Sequence, residues 1–272
     1  KWFFRLFAFV ANADEKVGIG TYELNTDMDY RALIVGMHSS SGNLNSDNTV
    51  RITIPEGYTV QQTIALLAKN GVNTEEALLE AAKTADFDYE FIDNDSEDIS
   101  RLEGYLFPDT YEIYSDESAE SIIGRMLTRF GQIMGDEYTA RAAKLNMSVD
   151  DVITLASLIE KEARHEDDFT RVSAVFHLRL DKGMKLQSDA PLKYIFHTSG
   201  VLTFTAEQMA DTSLYNTHVY EGLPLGPIAN PGRKAIEAAL YPDEEYMNEG
   251  YLYFCLMDSE TGELIYAKTL EE

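Results

Sequence analysis

Apolar positions recur along this chain with two periods, one of a helix and one of a strand. From Ser148, the run SVDDVITLASLIEKEA sets Val152, Leu155, Ala156, Ile159 and Ala163 at the spacing of one helix face, which is therefore expected to be buried. Ser148 with Asp151 three residues on reads as a capping box at its start. The strand period shows in VRITIPEGYTVQQTIALLAKNGV. There Val50, Ile52 and Ile54 alternate, Pro55, Glu56 and Gly57 turn the chain, and Val60, Ile64, Leu67 and Ala68 carry a helix that Gly71 ends. GTYELNTDMDYRALIVGM, from Gly20, repeats the plan with Tyr30, Leu33, Ile34 and Met37 on its helix, and the polar run Ser39 to Asn48 joins the two units. Two strand, turn, helix units predict a small α+β module with an internal duplication.

Beyond Gly71 the pattern turns mainly helical. NTEEALLEAAK reads as a helix with Thr74 near its start, and RLEGYLFPDTYEI as a packed turn rather than a regular element, because Pro108 pushes Phe107 out of the helical region. Ile122, Ile123, Met126, Leu127 and Phe130 mark one further helix, Tyr138, Ala142 and Leu145 another, and Phe169 to Asp181 a third that stops at Gly183. The polar string Gln187, Ser188, Asp189 follows at once. A helix from Arg233 to Leu240 precedes the strands YLYFCLM and LIYAK, which flank a turn from Asp258 to Glu263. The fold class expected is α+β: a small duplicated α/β module, then a mainly helical domain with a small β-sheet.

Composition narrows the function classes. With 272 residues and a hydrophobic fraction of 44%, the chain can bury one large or two modest cores. A net charge of -25 argues against nucleic acid and against an anionic membrane surface, since both would be repelled. Between Asn73 and Glu120 sixteen acidic residues face only Lys83 and Arg101, so this segment is expected to be a solvated, connector-like surface. The single cysteine, Cys255, excludes an intrachain disulfide and reads as a buried core thiol within YLYFCLM. The start, KWFFRLFAFV, suits a chain beginning just past a membrane anchor, and equally an ordinary first helix or strand.

Candidate chemistry gathers at the end of the Ser148 helix. At 100° per residue Glu162 falls between Leu155 and Leu158, so its carboxyl group is directed toward the apolar side, with Glu166 expected at i+4 as a like charge. Both influences disfavour ionisation, and a carboxylic acid protonated near neutral pH is what a general acid requires. Glu160, with Arg164 at i+4, is expected to stay charged in a surface ion pair. The rival reading makes Glu162 an ordinary helix-border glutamate with its head in solvent. LYNTHVYEGLPLGPIANPG, with three prolines and three glycines, suits a wall for a polar ligand, and as well a structural loop whose Asn and Thr side chains satisfy its own backbone. His38, His165, His177, His197 and His218 show no HExxH or comparable spacing, so neither a metal nor any other cofactor is expected.

The ordered motifs LEGYLFPDTYEI, LIEKEA, GMKLQSD, YNT, GLPLGPIANPG and KAIEAAL closely resemble those of the YceG-like endolytic murein transglycosylases. GTYEL and IPEGYTVQQTIALLAKNG resemble that family's LysM-like portion. The resemblance implies a LysM-like substrate-recognition module over residues 1–85, an acidic connector over 86–104 and a transglycosylase catalytic domain over 105–272. It further implies a single-pass bacterial membrane protein whose extracytoplasmic part cuts peptidoglycan glycan strands internally, with penicillin-binding proteins and other wall-synthesis proteins as possible partners. The second glutamate of its EKE motif, Glu162 here, is the implied catalytic residue. Gln187, Ser188, Asp189, Tyr215, Asn216, Thr217 and Asn230 lie on motifs implied to line the cleft. Ala190 stands where the family commonly has proline, His218 where it has tyrosine, and Leu264 where a histidine is usual.

The implied reaction is non-hydrolytic. One carboxyl group protonates the leaving oxygen, then accepts the proton of the 6-hydroxyl of MurNAc as that hydroxyl closes a 1,6-anhydro ring. Two rivals remain: a hydrolytic muramidase, for which Asp189 would be the second carboxylate although it also reads as a turn or capping residue, and a non-catalytic glycan-binding scaffold.

Overall fold

The structure is a computed structural model that describes residues 49–198, 200, 203–258 and 260–272. The unit expected from Gly20, the polar run after it and the apolar start lie outside these residues.

Thr49–Glu272 forms one compact unit, so the second strand, turn, helix repeat, the acidic stretch and the helical part share one core. Strand β1 (Thr49–Thr53) leads through the turn at Pro55 to Gly57 into helix α1 (Val60–Lys69), where Thr59 and Gln62 form a capping box. Helix α2 (Glu75–Thr84) is capped by the Thr74 side chain. Strand β2 (Thr110–Tyr114) pairs antiparallel with β1, with Val50 opposite Ile113 and Ile52 opposite Tyr111. RLEGYLFPDTYEI therefore ends in a strand, which corrects the expectation of a turn throughout. Its period-two signal, Tyr111 and Ile113 inward with Glu112 outward, is only five residues long and is realised by a partner 57 positions away.

The acidic stretch is solvated on one side and pinned on the other. Phe87, Ile92 and Leu102 are buried. Arg101 is buried as well, and its guanidinium donates to the carbonyls of Ala82 and Ala85 at the end of α2 and to Asn94 Oδ1. An arginine placed over the last carbonyls of a helix satisfies groups that have no partner within the helix.

Helices α3 (Ala119–Ile133), α4 (Asp136–Lys144), α5 (Val149–Glu162) and α6 (Asp168–Asp181) follow, and α5 starts with the predicted Ser148–Asp151 capping box. Every residue from Val152 to Ile159 is buried, so α5 is the central helix of the fold rather than a surface helix with one buried face. The short helices α7 (Ala190–Ile195) and α8 (Ala206–Met209) lead to α9 (Arg233–Leu240), which packs with α6 against α5. Helix α10 (Glu244–Glu249) and the hairpin β3 (Tyr253–Leu256) with β4 (Leu264–Ala267) close the chain. Cys255 is exposed, not buried as expected. In a two-stranded hairpin only one face is covered: Phe254 turns inward against Phe176, with ring centroids 5.7 Å apart, and its neighbour Cys255 must point the other way.

Candidate active site

Helix α5 delivers Glu162 as its last residue, and Ala163 leaves the helix in an extended conformation. The Ser188 hydroxyl donates a short hydrogen bond to Glu162 Oε1, and the Ala190 N–H also acts on this carboxyl group. Burial pushes the Glu162 acid above the ordinary carboxylic range. Ser188 and the ammonium of Lys193 oppose that rise, and the charge of Asp189 adds to it.

Two sequence expectations about its surroundings are corrected. The like charge beside Glu162 is Asp189, not Glu166, which lies beyond the end of α5 with its carboxylate 3.1 Å from Lys234 Nζ. Glu160 is not in a surface pair with Arg164 but turned inward, its Oε2 accepting from the Gly232 N–H at 3.0 Å, and burial raises its pKa too. Both errors share a cause: α5 stops at Glu162, so i+4 relations from its last turn no longer describe neighbours. Between these glutamates, Lys161 Nζ donates to the Gly57 carbonyl at 2.6 Å, which ties α5 to the β1–α1 turn.

Ser188 is held on both sides of its peptide by Thr217. Thr217 Oγ1 accepts from the Ser188 N–H at 3.1 Å and donates to the Ser188 carbonyl at 3.0 Å, while the Gln187 N–H donates to the Thr217 carbonyl at 3.1 Å. Gln187 adopts a left-handed backbone (φ 52°), and its side chain is exposed. Such a conformation in a residue with a Cβ is retained only where the surroundings enforce it, here between Leu186 and the Thr217 clamp. Asp189 Oδ1 lies 3.0 Å from His218 Nε2, and the Asp189 side chain keeps 46% of its surface open. The His218 noted as a departure is thus the partner of one of the implied cleft residues.

The remaining implied residues divide by what they touch. Tyr215 is half-buried, with its ring 5.2 Å from that of Tyr194. Asn216 is buried and committed to its own loop: its amide donates to the Met209 and Asp211 carbonyls and its Oδ1 accepts from the His218 N–H. Asn230 is 0% exposed and does not line a cleft. Its side chain accepts from the Leu106 N–H at 3.0 Å and donates to the Tyr58 carbonyl at 2.8 Å, and its backbone pairs with Gly57 and Tyr58. Of the two readings left open for this loop, the self-satisfying one describes Asn216 alone; the side chains of Thr217 and Asn230 instead tie the loop to Ser188 and to Tyr58 and Leu106, and Gln187, Asp189 and Tyr215 retain free surface.

Three neighbours escaped the sequence reading: Lys193, whose charge acts on Glu162, Tyr194, and the buried Glu103, whose carboxyl group meets Tyr194. Glu103 stood inside a quoted motif, but no local period distinguishes a buried glutamate from the acidic residues before it. Among the described residues no group of three or more His, Cys, Asp or Glu side chains is arranged to hold a metal ion.

Comparison with known proteins places the chain. A profile of the YceG-like family matches residues 1–272. The endolytic murein transglycosylase of Bacillus subtilis is 34% identical over 268 residues, 93% of this chain and 70% of that protein. Its namesake in Streptococcus pneumoniae is 32% identical over 241 residues, covering 81% of this chain, which spans only 43% of that protein's length. The crystal structure of a yceG-like protein from Listeria monocytogenes superposes with a TM-score of 0.67 at 29% identity, over 99% of this chain and 87% of that one. On a match running from the first residue to the last, the chain belongs to the YceG-like family.

Proposed function

We propose that this chain is an endolytic peptidoglycan lytic transglycosylase. It cleaves the β-1,4 bond from MurNAc to GlcNAc without water and leaves a 1,6-anhydro-MurNAc end. The observation that carries this reading is the Glu162–Ser188 pair, a half-buried acid with one oxygen occupied by a hydroxyl donor, in a chain whose relatives bear that activity in their names.

With Ser188 donating to Oε1, a proton on the Glu162 carboxyl group resides on Oε2, from which it can pass to the glycosidic oxygen. Proton transfer from Oε2 to the leaving oxygen breaks the bond as positive charge develops at the anomeric carbon. The carboxylate so formed is stabilised by the Ser188 hydroxyl, the Ala190 N–H and the charge of Lys193, the same groups that oppose its raised pKa. It then accepts the proton of the substrate's own 6-hydroxyl as that oxygen bonds to the anomeric carbon. Because this nucleophile is part of the substrate, its effective concentration is high and no second catalytic carboxylate is required.

In the same reading residues 1–85 serve as a LysM-like recognition module, residues 86–104 as a connector and residues 105–272 as the catalytic part. The protein is anchored in the bacterial cell membrane with this part outside, where it acts in wall assembly beside penicillin-binding proteins and other wall-synthesis proteins. No helix among the described residues is long and apolar enough to cross a membrane, so the anchor would lie elsewhere.

A hydrolytic muramidase is the second reading, favoured by one observation: Asp189, half open to solvent and paired with His218, acts electrostatically on Glu162. Mass spectrometry of products from intact peptidoglycan decides. Anhydro ends are expected, absent in Glu162→Gln; reducing ends in their place would overturn the lyase assignment.

A further inference from the structure

Glu103 is a glutamate 3% exposed, and the reaction above gives it no task. It sits at the meeting point of three elements. Its Oε1 accepts from the Val60 N–H at 3.0 Å, at the start of α1, and its Oε2 meets the Tyr194 hydroxyl of α7 at 3.4 Å. Lys161 of α5, next in sequence to Glu162, faces it electrostatically. Tyr194 in turn lies against Tyr215, with ring centroids 5.2 Å apart, and its hydroxyl acts on that of Tyr215, which points toward Gly226, where an added Cβ would lie 3.4 Å away. The missing side chain at Gly226 leaves space around that hydroxyl. A row of three polar groups thus runs from a sealed carboxyl group to a half-buried phenol on the loop that also carries Thr217 and His218.

We propose that Glu103 is a positioning residue for this site: through Tyr194 its carboxyl group sets which way the Tyr215 hydroxyl points, and so whether Tyr215 can donate a hydrogen bond to the glycan. The proposal rests on the glycan-cleaving reading and names a recognition contact within it.

The hydrogen-bond directions follow from donor counts. A neutral carboxyl group accepts at Oε1 from Val60 and donates its proton from Oε2 to the Tyr194 oxygen. Tyr194 then donates to the Tyr215 oxygen, and the Tyr215 hydrogen is left for the ligand. An ionised carboxylate has no donor. Tyr194 turns its hydrogen to Glu103, Tyr215 donates back to Tyr194, and the donor is withdrawn from the ligand.

Burial pushes Glu103 up to about 8, against the pull of the Val60 N–H, Tyr194 and Lys161, so the row reverses at mildly alkaline pH. The other charged groups facing the row are Asp98, which acts on both phenols, and Asp150, which acts on Tyr215; both are carboxylates that hold the phenols neutral. Neither phenol ionises in the range that matters.

Binding separates this contact from catalysis. In the Glu162→Gln background the full chain binds glycan without cutting it, and amidase-denuded strands carry no group that titrates between about pH 6 and about pH 9.5. Affinity for such strands is expected to fall about fivefold through about pH 8, the cost of one lost hydrogen bond. Adding Glu103→Gln should abolish the step, since the amide still donates to Tyr194 and accepts from Val60 whatever the pH. Tyr194→Phe should abolish it as well, by breaking the row with Glu103 intact. Persistence of the step in these two variants, or its absence from the Glu162→Gln parent, overturns the proposal. Failure of the underlying reading has a separate signature, the absence of 1,6-anhydro ends from the wild-type chain.

Discussion

The Ser188 hydroxyl donates to Glu162 Oε1 and so joins the last turn of α5 to the residue pair that opens α7. Thr217, from a third part of the chain, grips the Ser188 peptide by both its N–H and its carbonyl. The acid is therefore oriented by a group that is itself oriented, as a general acid needs when its proton must meet one particular oxygen.

Glu162→Gln is expected to lower glycan cleavage by about 10²-fold to 10⁴-fold, the usual worth of a positioned general acid, while the thermal transition stays close to that of the wild type. Muropeptide analysis beside a melting curve checks both halves.

Ser188 and Asp189 pull the acid in opposite directions, so their variants should shift the pH profile oppositely. The Ser188 hydroxyl favours the ionised form of Glu162 and Asp189 disfavours it. The alkaline limb of kcat/KM reports the loss of the acid's proton. Ser188→Ala should move that limb to higher pH, and Asp189→Asn should move it to lower pH with anhydro products retained. Complete loss of activity in Asp189→Asn at every pH would instead make it the second carboxylate of a hydrolase.

Glu160→Gln should be the milder of the two glutamate changes for catalysis, yet not silent for stability. It weakens a charge-assisted bond from the Gly232 N–H, worth about 1 to 2 kcal/mol, and keeps an acceptor in place. Chemical denaturation read against Glu162→Gln under the same conditions ranks the two. A Glu160→Gln variant that folds fully but cleaves nothing would reverse the assignment of roles.

Asn230→Ala should destabilise the fold by about 2 kcal/mol or more, because it leaves the buried Leu106 N–H and one bond to the Tyr58 carbonyl without a side-chain partner. Activity per folded molecule should change far less than in Ser188→Ala. A denaturant midpoint equal to that of the wild type would show that its backbone pairing alone holds the loop.

Glu103 also predicts a stability slope. Its pKa rises from an ordinary 4.5 to about 8 on folding, so between these values the folded state binds more protons than the unfolded one. Stability is then full below the lower value and declines as pH climbs through the window. Glu103→Gln removes this contribution, and the drop in Tm from about pH 5 to about pH 8.5 should shrink by several degrees. An unchanged drop would mean that Glu103 is already neutral in the unfolded chain or charged in the folded one.

Much of the architecture was legible because its signals are local. The capping box at Ser148, the helix start at Thr74, the helix over Arg233–Leu240 and the terminal hairpin are each written within a dozen residues. Strand β2 was missed because five residues carry too little period to stand against a proline and a glycine, and its partner β1 is remote in sequence. Cys255 was misplaced because an apolar run reads the same in a covered strand and in a hairpin with one open face.

By itself the sequence determined that the Ser148 helix is capped and that Val152, Leu155, Ala156 and Ile159 are buried, since helical phase depends only on residue spacing. Where that helix ends was decided by tertiary structure, and this relocated the neighbours of Glu160 and Glu162 to Gly232 and Asp189. The same holds for Ser188 as the donor to Glu162, for Asn230 as a sealed staple and for Glu103 beside Tyr194. Each joins residues far apart in the chain, and packing alone brings such groups within the few ångströms over which hydrogen bonds and desolvation act.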